Sequence, residues 1–168
     1  MLWRIFDLSL AVFFALFVFI STFLEIPVCL GEKVTPDSKA FLIADSYKWG
    51  LEADVVWIKQ PVWSRCAVCM HAFGFNAGYA LLCLSLLFRW NWIRIPGIAI
   101  CTAKLYAGAL YMAANLLDPE MSPPNPTKFV AQSAAYMLIP LLTILRLIPT
   151  APFQRQPQKP KALRPKRA

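Results

Sequence analysis

Three ionisable side chains fall inside stretches that are otherwise apolar: Glu25, His71 and Lys104. An acid, an imidazole and an amine are the groups from which proton transfer and polar ligand capture are built. In hydrocarbon each is costly unless paired or wetted, so each is a candidate functional residue. Lys104 recurs with Gly108, Tyr111 and Asn115 at i, i+4, i+7 and i+11, which is one face of a helix. His71, Gly74, Phe75 and Gly78 share a face in the same way. Gly74 and Gly78 also form a GxxxG pair of the kind that lets helix backbones approach. Tyr79, Tyr106, Tyr111 and Tyr136 bring hydroxyls to the same spans. Glu25 and Lys104 could instead pair with each other and merely hold helices together, an arrangement of little net stability. His71 by itself reads as a hydrogen-bonded interior histidine; it becomes an acid–base candidate only with Glu25 or Asp54 within reach.

The composition says what must position these groups. Of 168 residues, 58% are hydrophobic and 15% charged, against about 45–50% and about 25% in a soluble domain. That excludes a secreted mini-protein, a disordered regulator and a soluble nucleotide-binding enzyme. A net charge of +8 would ordinarily raise nucleic acid, but the surplus sits mainly in the last residues; no nucleic-acid partner is expected. Four apolar spans are predicted at about 8–25, 67–88, 95–117 and 129–148. The first could be a signal peptide, but Asp7 in the would-be basic region and the missing small-residue cleavage site favour a retained helix. Arg89 to Arg94 makes a tight turn carrying Trp90 and Trp92, and Pro119, Pro123, Pro124 and Pro126 forbid helix continuation between spans three and four. The connection from Ile26 to Cys66 is polar enough for water, with a short interfacial helix expected at 41–49. Pro140 should kink the fourth span beside Tyr136.

The expected fold is therefore an all-α membrane protein, a four-transmembrane-helix bundle with a lumenal loop between helices 1 and 2. Residues 1–149 form the membrane domain, and 150–168 a basic, proline-rich, disordered cytosolic tail. Ten basic residues fall on the side of the termini, against six on the other side, which also carries seven acids. The imbalance places both termini in the cytosol. The ending Arg164-Pro165-Lys166-Arg167-Ala168 loosely resembles a basic retrieval signal. Five cysteines without regular spacing do not suggest a disulfide scaffold, and Cys66-Ala67-Val68-Cys69 is a lone CxxC without a histidine at ligand spacing. The single histidine speaks against a multi-histidine metal site, and no phosphate loop, nucleophile elbow or HExxH is found. Neither a metal nor a cofactor is expected.

Several short motifs stand in a familiar order: Phe23-Leu24-Glu25 ending span one; Lys48-Trp49, then Asp54, Pro61 and Trp63; Trp92-Ile93-Arg94-Ile95-Pro96; and Tyr136-Met137-Leu138-Ile139-Pro140. Over roughly residues 10 to 148 this set resembles the EXPERA family of endoplasmic-reticulum membrane proteins, nearest its sigma-2-receptor branch, with the emopamil-binding sterol isomerases as a second branch. The resemblance implies an intramembrane pocket for a sterol-sized ligand, with Glu25 as polar anchor and Asp54 closing over it from the loop. His71, Tyr111 and Tyr136 would line the pocket and Lys104 would set its charge. Two departures stand out. The family's glutamate in span two falls on His71 here, and Lys104 is an added cation that would compete with an amine ligand for the carboxylate.

On these grounds the leading expectation is a non-enzymatic protein of the endoplasmic-reticulum membrane that binds a sterol or other lipid and takes part in lipid homeostasis. A sterol double-bond isomerase is the alternative, with His71 and Glu25 as proton donor and acceptor, though Lys104 would repel the carbocation. A structural tetraspan of the claudin kind is a third, suggested by Trp49-Gly50-Leu51 but opposed by the closeness of Cys66 and Cys69. A membrane-protein partner and a homodimer through the GxxxG face are both compatible with the spans.

Overall fold

A computed structural model describes residues 2–153. Those residues are helical and connecting segments throughout, with four helices long and apolar enough to cross a membrane. We label them α1 (Leu2–Cys29), α4 (Val62–Phe88), α5 (Asn91–Leu117) and α6 (Pro126–Leu147). Between α1 and α4 lie two short helices, α2 (Ile43–Ala53) and α3 (Val55–Lys59).

Helix α1 buries Leu10, Ala11, Phe14 and Phe17 on one stripe and turns Val12, Phe13, Leu16 and Phe19 outward. Apolar residues all round are what a bilayer-crossing helix carries. The helix passes Glu25, where the sequence predicts its end, and continues to Cys29. Pro27 has no N–H to offer the preceding turn. A wide π turn over Ser21–Glu25 comes just before it, in which the Ile26 N–H reaches back five residues to the Ser21 carbonyl. A second π turn, His71–Phe75, interrupts α4, with the Asn76 N–H bonded to the His71 carbonyl.

The other boundaries shift for local reasons. Helix α4 starts at Val62, directly after Pro61, rather than at residue 67, because its first turn is helical although Ser64 and Arg65 are polar. Helix α6 starts at Pro126, where the Asn125 side chain caps it by accepting a bond from the Lys128 N–H at 3.0 Å. It runs from Pro126 to Leu147 with Pro140 inside it, so the proline does not end the helix. The interfacial helix expected at 41–49 forms as α2, two residues later at its start and four at its end.

Helix α1 packs along α4 and α5 along α6, whereas α4 and α5 meet mainly beside their connecting turn. The two pairs join at the end that carries the N-terminus, over Leu10, Phe14, Leu82, Leu86, Ile93 and Leu147. There Asp7, fully buried, accepts two bonds from Arg146, at 2.6 and 3.1 Å. From the sequence Arg146 is simply one of the ten basic residues counted on the side of the termini. Packing extends past residue 149: Phe153 is buried, its N–H bonds Asn91 Oδ1 at 3.0 Å, and its carbonyl accepts from Arg89 at 2.9 Å. Residues 154–168, with the expected disordered basic tail and its terminal Arg164–Ala168 sequence, lie outside the described residues.

Two sequence expectations are overturned here. Within the chain Gly74 and Gly78 do not serve one helix contact: a Cβ on Gly78 would come within 3.1 Å of Ile100, but one on Gly74 would meet nothing within 4 Å. The π turn between His71 and Phe75 breaks the 3.6-residue period on which that shared face depended. The cysteines, secondly, do contribute a staple. Cys69 is joined by a disulfide to Cys29, 40 positions away, leaving Cys66 free.

Candidate functional site

Away from the packed end, the space between the two helix pairs forms a cavity of about 970 Å³. The ends of α1 and α4, the middle of α5, the first half of α6 and the α2–α3 connection all contribute to its walls. All six residues singled out from the sequence, Glu25, Asp54, His71, Lys104, Tyr111 and Tyr136, line this one cavity. Most of the remaining wall is apolar or aromatic, including Leu24, Trp57, Trp63, Phe75, Ala107, Phe129 and Met137.

The two π turns place the central polar groups. Helix α1 presents Glu25 and α4 presents His71 from turns that face each other; Ser21 bridges them by donating to the Glu25 carboxylate and lying 3.3 Å from the His71 carbonyl. His71 Nδ1 stands 3.2 Å from Glu25 Oε1, and its Nε2 stands 2.9 Å from Lys104 Nζ. A carboxylate can only accept, so Nδ1 carries the hydrogen and Nε2 offers its lone pair to the lysine. The direct Glu25–Lys104 pair that the sequence left as an alternative is not formed; the imidazole stands between the two groups. Lys104 is 9% exposed and its Nζ lies 5.7 Å from the centre of the Tyr136 ring, a distance at which cation–π attraction operates. Phe17 of α1 stacks on the Tyr136 ring, with the ring centres 5.1 Å apart.

Asp54 does not close over Glu25. It caps α3 by accepting from the Trp57 N–H at 3.0 Å, and both its carboxylate oxygens receive the Tyr111 hydroxyl, at 2.9 and 2.8 Å. Asn115, one turn on, bonds the Tyr111 carbonyl at 2.9 Å. The polar wall therefore has two separate parts, a Glu25–His71–Lys104 chain and an Asp54–Tyr111 cap. Ser46 and Trp57 belong to it too, with Ser21 buried behind Glu25, and none of the three was singled out from the sequence. The Trp57 indole donates to Ser46 at 3.0 Å. Ser21 had a readable signal, its i, i+4 spacing to Glu25; Ser46 and Trp57 had none.

Burial pushes the Asp54 carboxyl up from 3.8 to about 6, against the pull of the Tyr111 hydroxyl and the Trp57 and Val56 amides. A carboxyl raised on folding favours the folded state most at low pH. Its contribution is complete below about 4 and is lost as pH rises through about 6. Asp54→Asn keeps an acceptor for Trp57 and should remove that dependence. Thermal melts of wild type and variant in detergent should converge near pH 4 and separate by pH 7, the variant being the more stable there. Parallel curves over that interval would show that Asp54 does not titrate in it.

No family model, curated protein or solved structure matches the chain. The site is a large, mainly apolar chamber with polar groups gathered on part of its wall.

Proposed function

We propose that the protein binds a sterol or similarly sized lipid in the cavity between its two helix pairs, as a multi-pass protein of the endoplasmic-reticulum membrane akin to the EXPERA family. The cavity carries this reading. Its volume of about 970 Å³ lies near the top of the roughly 300–1,000 Å³ range of ligand pockets, and such sites combine apolar walls with a few convergent polar groups.

The wiring of the polar wall favours a neutral ligand over an amine. Glu25 already accepts from Ser21 and faces His71, with Lys104 next in line. An amine would have to displace the imidazole and sit beside a second cation, whereas a hydroxyl can add one hydrogen bond without rearranging the chain. The disulfide at the mouth of the α1–α4 connection suits an oxidising compartment. That agrees with the excess of basic residues on the opposite side, and both features support cytosolic termini with a lumenal loop.

Binding of a radiolabelled sterol and of a cationic amphiphile to the purified protein tests this. Sterol should bind wild type and bind Ala107→Phe at least tenfold more weakly, because Ala107 lines the cavity. The amphiphile should bind only after Lys104→Met. Failure of sterol to bind folded wild type, or equal binding to Ala107→Phe, would remove the pocket from the function.

A further inference from the structure

We propose that Lys104 is a covalent capture site for lipid aldehydes, forming a Schiff base inside the cavity with His71 as its base. The inference rests on the lipid-binding reading of the same cavity and goes further in naming a reacting atom and a ligand class. Three observations meet at Lys104. Its Nζ is 2.9 Å from His71 Nε2, and the other ring nitrogen is 3.2 Å from the Glu25 carboxylate. Nucleophile, base and a third group that orients the base is the arrangement by which enzymes activate weak nucleophiles. The amine also faces a cavity whose body is apolar, so a molecule arriving there has a hydrocarbon frame and a small reactive end. Finally, the Tyr136 ring lies 5.7 Å from Nζ and can face the cation that an iminium retains.

No such chain surrounds the other lysines of the described residues. Lys128 is bonded to Glu52 and Lys59 to the Glu120 carbonyl, both exposed. A simple ion-pair role for Lys104 would need only its charge and a carboxylate beside it; here the group beside it is an imidazole lone pair, which can take a proton.

The step balances without an oxidant or reductant. His71 Nε2 takes one proton from the Lys104 ammonium. The freed lone pair attacks the aldehyde carbon, forming the N–C bond while the C=O pair moves to oxygen, and a proton passes from nitrogen to that oxygen to give the carbinolamine. The imidazolium then returns its proton to the hydroxyl, the C–O bond breaks with loss of water, and nitrogen shares its pair to give the protonated imine. The net change is aldehyde plus ammonium to iminium plus water, with His71 restored.

The full-length protein in detergent would be incubated with hexadecanal and cyanoborohydride, and the reduced adduct located by peptide mass. Modification should fall on Lys104 at least tenfold over the loop lysines Lys33, Lys39, Lys48, Lys59 and Lys128. It should vanish at that position in Lys104→Met and slow about a hundredfold in His71→Gln, the lower end of what a general base supplies. Hexadecanol, which cannot react, serves as the control ligand, its binding read by tryptophan fluorescence on every variant. Hexadecanol bound with Lys104 unmodified, or label spread evenly over the lysines, would overturn covalent capture and leave the cavity standing. An unchanged rate in His71→Gln would overturn the role of the base. Hexadecanol failing to bind folded wild type would sink the cavity reading and this inference together.

Discussion

Arg146→Met, with Asp7 left in place, is expected to cost about 3–5 kcal/mol of stability, because it strands a buried carboxylate. Asp7 is 0% and Arg146 7% exposed. The guanidinium grips both carboxylate oxygens, gives a further bond to the Pro152 carbonyl at 2.6 Å, and lies between the Trp3 and Phe153 rings at 5.1 and 5.0 Å. One substitution therefore breaks the tie between the first and last long helices and loosens the segment after α6. The double variant Asp7→Leu with Arg146→Met should recover most of the loss, since a pair replaced by apolar groups is often neutral or better. Thermal unfolding in detergent of the four corners of this cycle reads the coupling directly. If Arg146→Met melts with the wild type, the pair is solvated rather than buried.

Cys29→Ser should lower stability by about 2–4 kcal/mol, the range for a cross-link that closes a loop of this length. Its effect on ligand binding is the sharper readout. Cys29 follows Glu25 by one helical turn, and Cys69 precedes His71 by two residues, so the bond holds the two π turns in register beside the groups they carry. Without it, the Glu25–His71 contact at 3.2 Å is left to the Ser21 bridge, the Asn76–Thr22 bond at 3.2 Å and the Lys104 contact to the imidazole. Sterol affinity should fall about tenfold in Cys29→Ser and Cys69→Ser alike, while Cys66→Ser, which leaves the bond intact, should bind as wild type. Loss of stability without loss of binding would mean that the polar chain assembles unaided.

Charged and hydroxyl groups in apolar runs are conspicuous because a bilayer makes them expensive, and Glu25, His71, Lys104, Tyr111 and Tyr136 were legible for that reason. Span boundaries were less so: hydropathy marks where a helix is greasy, and α4 begins five residues before that point, on a turn with polar Ser64 and Arg65. The face assigned to His71 and Gly74 failed because periodicity arguments assume 3.6 residues per turn, and a π turn intervenes. The pairing of Cys29 with Cys69 and of Asp7 with Arg146 spans 40 and 139 positions. No local pattern encodes contacts of that reach, and the nearby Cys66 drew attention to the wrong partner.

The Asp7–Arg146 contact has a bearing on how the chain is made. A nascent first helix leaves the ribosome with a carboxylate whose partner lies 139 positions further along the chain and is not yet made. For that interval the acid needs water, a headgroup or the insertion machinery. Only when the last helix arrives does the carboxylate meet its guanidinium, so a chain truncated before Arg146 keeps an unmatched charge at its packed end.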